Sequence, residues 1–219
     1  MLVRVGLAAV AGLALSLAFE PVAVPWVIPF CVAAFVLLTR DLRPRRGFLV
    51  GLVFGAAFYF THIFWMRAVG VPAWIALSLL ETFFYAVLGL VSSVVLRHRL
   101  WPVWFAAAWT TAEVVRSGYP LGGMPWGRLA FAVVDTPMAP ALPYVGAVGV
   151  SFALALLGAL LAAVFLAAHG LGSLRVTAGS LVGLCLLVAV PVAFPWDADD
   201  RGEPGITVAV VQGLSLIHI

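Results

Sequence analysis

Residues 72–96 read PAWIALSLLETFFYAVLGLVSSVVL, and Glu81 is the one charged side chain in this stretch. As an α-helix, 25 residues rise about 37 Å, which exceeds the hydrocarbon core of a bilayer, about 30 Å thick. Length and composition therefore predict a helix that crosses a membrane.

Further apolar runs lie on both sides of this stretch. The 219 residues are 64% hydrophobic and 10% charged, whereas ordinary soluble domains are about 45–50% apolar and 25% charged. A water-soluble fold could not cover that much apolar surface. We predict an all-α polytopic membrane protein whose transmembrane domain occupies residues 1–195. About seven helices are expected, near residues 5–19, 22–38, 47–69, 72–96, 101–115, 143–168 and 176–194.

The basic residues indicate which way the helices run. All twelve are arginines, and they cluster between the apolar runs, as membrane topology requires and nucleic acid binding does not. Arg4 and the segments 40–46 and 97–99 fall at alternate ends of successive runs, so the positive-inside rule places them in the cytoplasm. The N-terminus is then cytoplasmic, and the end of the seventh helix lies outside.

The sequence changes character after the seventh run. Residues 196–205 are acidic and rich in turn formers, and we predict an extracytoplasmic linker. Residues 206–213 are β-branched and read as a buried strand. A single strand cannot satisfy its own edges, so we expect it to open an α/β domain of which the remainder is missing.

Residues 118–131, GYPLGGMPWGRLAF, form the best candidate for a functional site. Their four glycines and two prolines rule out a continuous helix. Irregular backbone beside a bilayer must be packed in protein or line a wet cavity. We therefore predict a Gly/Pro-rich outer loop over residues 116–140.

This loop and its flanks resemble a known family. Glu113, Arg116, GGMPWGRLAF at 122–131, Asp-Thr-Pro at 135–137 and Gly-Val-Ser-Phe at 149–152 resemble the membrane domain of apolipoprotein N-acyltransferases, especially actinobacterial ones. The PWGRLAF run is the most specific part, and the resemblance continues to Gly213. It implies a bacterial plasma membrane location and a nitrilase-like domain outside the membrane, after the seventh helix.

The end of the chain departs from that family. Its members usually continue Gln-Gly-Asn, whereas Leu-Ser-Leu follows Gly213 here. We expect residues 214–219 to be a non-native tail and the chain to be a fragment. The expected strand at 206–213 would then be the first strand of a truncated nitrilase-like domain.

The resemblance also implies an activity. These enzymes transfer an acyl chain from a phospholipid to the N-terminal amine of diacylglyceryl-cysteine in apolipoproteins, through a Glu-Lys-Cys triad. The triad would lie beyond Ile219; the chain has no lysine, and Cys185 lies within an apolar run. No catalytic residue, cofactor or metal is expected in the chain, which we predict to be inactive alone. The implied partners are the phospholipid donor, the apolipoprotein acceptor and membrane lipids, but not nucleic acid.

The loop supplies the candidate lipid-binding residues. Trp126 matches the Pro-Trp position of the family and is expected either to line a lipid entrance or to be an ordinary interfacial tryptophan. Arg128 is expected to bind a lipid phosphate or to stabilise the loop. Pro125 and Gly123 complete this group of candidates.

Five polar residues are structural candidates. Glu113 and Arg116 are three residues apart on one helix and are expected to pair, and Asp135 before Thr-Pro suits the start of a turn. Runs three and four should form an antiparallel hairpin about residues 70 and 71, which would place His62 near Glu81. We predict a contact between these two, because ionisable groups at membrane depth usually have polar partners.

Two other classes of function stay open on the sequence. A small transporter or channel would use His62, Glu81 and the broken segment 116–140 as a polar pathway. A non-catalytic membrane scaffold is the other alternative. We find no inverted repeat of the kind that marks many transporters.

Overall fold

The computed structural model describes residues 1–171 together with residues 176, 178–180, 182, 183 and 185. Regular structure in this part of the chain is helical throughout, and it contains no strand. Short 3₁₀ turns precede or follow several of the helices. The α-helices are α1 (Leu2–Ser16), α2 (Ile28–Thr39), α3 (Pro44–His62), α4 (Val71–Val95), α5 (Trp101–Arg116) and α6 (Leu142–Ala168).

Most of the predicted helices are found, with two corrections. The run 22–38 becomes α-helical only at Ile28, because prolines in the preceding turn and at the 3₁₀ segment Pro25–Val27 exclude an earlier start. The run 47–69 leaves the α-helical conformation after His62 and continues as a 3₁₀ turn over Phe64–Ala68. There the Arg67 guanidinium lies 4.8 Å from the centre of the Phe64 ring.

The predictions for the C-terminal part fall outside the described residues. This applies to most of the seventh helix, 176–194, to the linker 196–205, to the strand 206–213 and to the tail 214–219. They stay predictions.

Helices α3 and α4 form the predicted antiparallel hairpin and approach each other closely. A Cβ atom added at Gly51 would lie closer than 3.0 Å to the backbone carbonyl of Tyr85, and one added at Gly89 would meet the backbone of Gly47. Small residues of this kind let two helix backbones come together in a membrane. The register is fixed by these glycines.

Aromatic side chains from four helices fill the centre of the bundle. Phe35 of α2, Phe54 of α3, Tyr85 of α4 and Trp109 of α5 are all buried. The Trp109 ring meets the rings of Phe35 and Tyr85 edge-on, with centroids 5.5 and 5.4 Å apart. Such contacts contribute about 0.5–1.5 kcal/mol each beyond simple burial.

The bundle has two chemically different ends. At the first, which we call the arginine end, Arg4 donates to the carbonyl of Arg40 at 2.9 Å, and Arg97 donates to the carbonyl of Leu42 at 3.0 Å. The opposite end, the tryptophan end, gathers Trp26, Trp65 and Trp126 around one cavity. The sequence segments predicted to share a side of the membrane thus share an end of the bundle.

Two of the described helices are long and apolar enough to cross a bilayer. They are Val71–Val95 and the segment Ala139–Ala168, which includes α6. Shorter apolar helices occupy Leu2–Ser16 and Pro25–Thr39. A 15-residue helix rises about 22 Å, so these helices fall short of the core thickness unless neighbouring segments extend them.

Candidate functional site

The loop after α5 folds back on the end of its own helix. Gly123 donates to the carbonyl of Pro120 at 2.8 Å, and Met124 donates to the carbonyl of Arg116 at 2.8 Å. Gly123 has a φ of +75°, and a Cβ there would collide with the backbone of Ser117 and Gly118. This candidate lipid-binding residue therefore has a conformational role that only glycine fills.

Arg116 joins this loop to α4. Its side chain is 1% exposed. Its Nη1 atom lies 3.2 Å from Oε2 of Glu81 and donates to the carbonyls of Met124 at 3.0 Å and Trp126 at 2.7 Å. One buried guanidinium thus neutralises a buried carboxylate and positions the Pro-Trp turn.

The predicted pairing of Glu113 with Arg116 is wrong. Glu113 Oε1 instead accepts from Trp109 Nε1 at 3.1 Å and from the backbone N–H of Leu129 at 3.0 Å. Their spacing along α5 puts the two side chains on one face, but each bonds to a group from another segment instead. Glu113 binds the Leu129 N–H, and Arg116 binds Glu81. Glu113 thereby fixes the far side of the loop, as Arg116 fixes the near side.

The predicted contact between His62 and Glu81 is also replaced by another. Gly51 faces Gly89 and Gly55 faces Tyr85, and the same antiparallel register places Tyr59, not His62, opposite Glu81. His62 lies between aromatic rings, with its centroid 4.4 Å from that of Phe19. The predicted hairpin about residues 70 and 71 is found with its register correct to within a residue. His62 lies three residues, or about one helical turn, beyond Tyr59, the residue opposite Glu81.

Trp126 lies at the surface, and hydrogen bonds to its backbone carbonyl hold it in place. Its carbonyl accepts from Arg116 and from the hydroxyl of Tyr59, while its side chain is 44% exposed and meets Trp65 edge-on at 4.6 Å. The ring lines two cavities, of about 550 and 450 Å³, and exposed Pro125 lines the smaller one. Trp126 is the residue that the described linings of both cavities share.

Arg128 has the surroundings of the second role expected for it, that of stabilising the loop, and Asp135 lies in a turn. Arg128 donates to the hydroxyl of Ser117 at 2.9 Å, and its Nε lies 3.9 Å from Glu113, so it stabilises the loop. The turn near 135 is closed by Thr136, which donates to the carbonyl of Val133 at 2.8 Å. Asp135 is exposed and lines the larger cavity.

Sequence reasoning missed three residues that the structure brings to the site. Tyr59 supports the turn at residues 125–128, which we call the Trp126 turn. Ser151 of α6 accepts from the backbone N–H of Ala130 at 3.2 Å. Glu20 lines the larger cavity. In each case the available signal was a single polar side chain within a largely apolar segment. In the part of the chain that is described, no group of three acidic, histidine or cysteine side chains is arranged to hold a metal ion.

Comparison with known proteins identifies the family. The model of the apolipoprotein N-acyltransferase N-terminal domain matches residues 11–160. The apolipoprotein N-acyltransferase of Chromobacterium violaceum is 34% identical over 94% of this chain, and that of Mycolicibacterium smegmatis is 36% identical over 67%. That of Shewanella oneidensis is 26% identical over 96%.

The matches cover a minor part of each relative. The aligned regions are 42% of the Chromobacterium protein, 25% of the Mycolicibacterium protein and 42% of the Shewanella protein. The family match includes α2 to α5 and the whole Gly/Pro-rich loop. The chain belongs to the apolipoprotein N-acyltransferase family and carries its N-terminal domain.

Proposed function

We propose that this chain is the membrane portion of an enzyme that transfers an acyl chain from a phospholipid to the N-terminal amine of diacylglyceryl-cysteine in apolipoproteins. The family match over residues 11–160 carries the proposal. Both substrates are lipids, so we expect the reaction to need an apolar bundle that brings them to the reaction site.

The part of the chain that serves the reaction is the Trp126 turn. Two ion pairs and several backbone bonds hold this turn beside the two cavities, while its ring stays exposed. Buried supports make a surface group rigid, and a rigid group orients a substrate without further loss of entropy. We propose that Trp126 and Pro125 guide the acyl chain of the donor.

We expect no acyl transfer by these 219 residues alone. The family resemblance implies a Glu-Lys-Cys triad, and a chain without lysine cannot assemble one. Cys31, one of its two cysteines, is buried in α2 and unsuited to attack a substrate. Anchoring and lipid access are the proposed contributions of this domain.

A transporter is less well supported by the same geometry. That alternative would use Glu81 in a polar pathway, but Arg116 neutralises Glu81 and both side chains are 1% exposed. Glu81 also lines the smaller cavity, but its charge is already paired with Arg116.

The enzyme proposal is tested with the complete coding sequence. The purified full-length protein, given a phospholipid and a diacylglyceryl-cysteine peptide, should form the N-acylated peptide. It should also accumulate an acyl group that hydroxylamine releases, as expected of a thioester. Mass spectrometry detects both products. Correctly inserted protein that yields neither product would overturn the proposal.

In that full-length protein, we expect Trp126→Ala to raise the KM for phospholipid about tenfold. A guiding ring contributes binding energy of about 1–2 kcal/mol through its contact area. Initial rates across a range of phospholipid concentrations measure the effect. Trp104→Ala is the matched control, because Trp104 is 56% exposed and lies on α5 away from both cavities. Equal KM values in the two variants would contradict the role of Trp126.

We further propose that the tryptophan end is extracytoplasmic and the arginine end, with the N-terminus, is cytoplasmic. In a chain with Cys31 and Cys185 replaced by alanine, Asp135→Cys should react in intact cells with a membrane-impermeant maleimide. His98→Cys at the arginine end should react only after the cells are lysed. The opposite labelling pattern would reverse the proposed orientation.

A further inference from the structure

The larger cavity at the tryptophan end has the size and walls of a ligand site. Its volume is about 550 Å³, within the usual range for small-molecule pockets. It opens where the end of α1, the start of α2, the end of α3 and the loop after Trp126 meet. Three indole rings line it, those of Trp26, Trp65 and Trp126, and all three are substantially exposed.

The charges in this cavity are of one sign. Glu20 and Asp135 line it from different segments, and no arginine is among its described lining residues. Neither carboxylate is in an ion pair with another residue of the described part. Arg128 is close in sequence, but its guanidinium is engaged by Ser117 and lies near Glu113.

One further polar group at the wall lacks a partner. The Nδ1 atom of His62 is buried and has no hydrogen bond, although the imidazole lines the same cavity. Phe58 stacks on the ring at a centroid distance of 5.1 Å, and Phe19 packs against it at a tilt, at 4.4 Å. Because this nitrogen is buried, the groups that a ligand meets in the cavity are the two carboxylates and the three indole rings.

We propose that this cavity binds a primary ammonium group carried by a lipid. Indole faces attract cations, and two unpaired carboxylates add to that attraction, whereas the same surroundings repel an anionic headgroup. The apolar parts of the cavity and the neighbouring bilayer would take the acyl chains. This inference rests on the proposed function, which offers two such amines: the headgroup of an aminophospholipid and the α-amine of the diacylglyceryl-cysteine acceptor.

Native mass spectrometry of the purified chain in detergent tests the proposal. The first pair of ligands is dioleoyl-phosphatidylethanolamine and dioleoyl-phosphatidylglycerol, which share their acyl chains. The second pair is a diacylglyceryl-cysteine peptide with a free or an acetylated amine. We expect the amine-bearing member of at least one pair to be retained about fivefold better than its partner.

Variants assign any preference to the cavity. The double variant Glu20→Gln with Asp135→Asn should abolish it, and Trp26→Leu should reduce it about threefold. Asp41→Asn, at the arginine end, and Trp104→Leu are the matched controls and should keep the wild-type preference. Both carboxylates are exposed, so the double variant should fold, which thermal unfolding verifies.

The outcomes separate the two sources of the amine. A preference limited to the phospholipid pair assigns the cavity to the donor headgroup, and one limited to the peptide pair assigns it to the acceptor. Equal retention within both pairs, or a preference that survives in the double variant, overturns the proposal. Acyl transfer by the full-length enzyme is measured separately: transfer without amine preference removes only the cavity's role, and preference without transfer removes only the enzyme proposal.

Discussion

Replacing Arg116 with alanine is expected to lower the free energy of unfolding by about 3–5 kcal/mol. The guanidinium is 1% exposed and is the ion-pair partner of Glu81. Its removal leaves a buried carboxylate without a counter-ion and frees the carbonyls of Met124 and Trp126. Thermal unfolding of the purified chain in detergent, followed by circular dichroism, measures the loss.

A second variant separates pairing from packing. Glu81→Leu combined with Arg116→Leu removes both charges together, and replacing a buried ion pair by apolar groups is often nearly neutral. We therefore expect the double variant to be more stable than Arg116→Ala. Arg45→Ala, at an exposed arginine, is the matched control and should change stability by less than about 1 kcal/mol. If Arg116→Ala unfolds at the same temperature as Arg45→Ala, the pair does not support the loop.

The sequence was sufficient for some of the helix bounds and insufficient for most side-chain partners. Hydrophobic runs and prolines act locally, so the extents of α4, α5 and α6 follow from the residues themselves. The 3₁₀ turn at Phe64–Ala68 did not follow, because contacts between that turn and α4 stabilise it. The Arg67 guanidinium, for example, lies 5.6 Å from the centre of the Trp74 ring.

Side-chain partners in the site depend on distances finer than a helical turn. The predicted α3–α4 register is correct to within a residue, but Glu81 faces Tyr59, and His62 lies three residues further along α3. The link between Arg116 and Glu81, whose positions are 35 residues apart, joins helices whose relative placement the sequence does not specify. Charge balance at membrane depth did predict that Glu81 has a polar partner, although not which one.

The cavity was the least predictable feature. Glu20 and Asp135 are far apart in sequence and belong to segments that look like ordinary turns. They line one space because α1 and α3 run side by side and the loop after Trp126 packs over their ends. Only the arrangement of the helices brings them together.

We expect the second large effect for Gly51→Leu, which would disturb the close packing of α3 against α4. A side chain at position 51 would enter the space of the Tyr85 carbonyl and of the Gly89 backbone. Backbone cannot move aside as a flexible side chain can, so α3 and α4 must separate. We expect a loss of at least about 3 kcal/mol, at the upper end of the cost of overpacking, measured by thermal unfolding in detergent.

Gly6→Leu is the matched control for this change. Gly6 lies on α1, is exposed, and has no atom within 4 Å of an added Cβ. Leucine also favours the helix over glycine by up to about 1 kcal/mol, so this control should be neutral or slightly stabilising. Gly51→Leu unfolding within about 2 °C of the control would contradict the close approach of the two helices.

Separation of α3 from α4 should also reach the site. Glu81 is on α4 and Tyr59 on α3, and together with Arg116 they hold the Trp126 turn. If Gly51→Leu shifts α4 outward, Arg116 loses either its ion pair with Glu81 or its hydrogen bonds to the loop carbonyls. The full-length enzyme carrying Gly51→Leu should therefore lose acyl transfer at temperatures where it is still folded. Retention of full activity there would mean that the hairpin and the Trp126 turn are uncoupled.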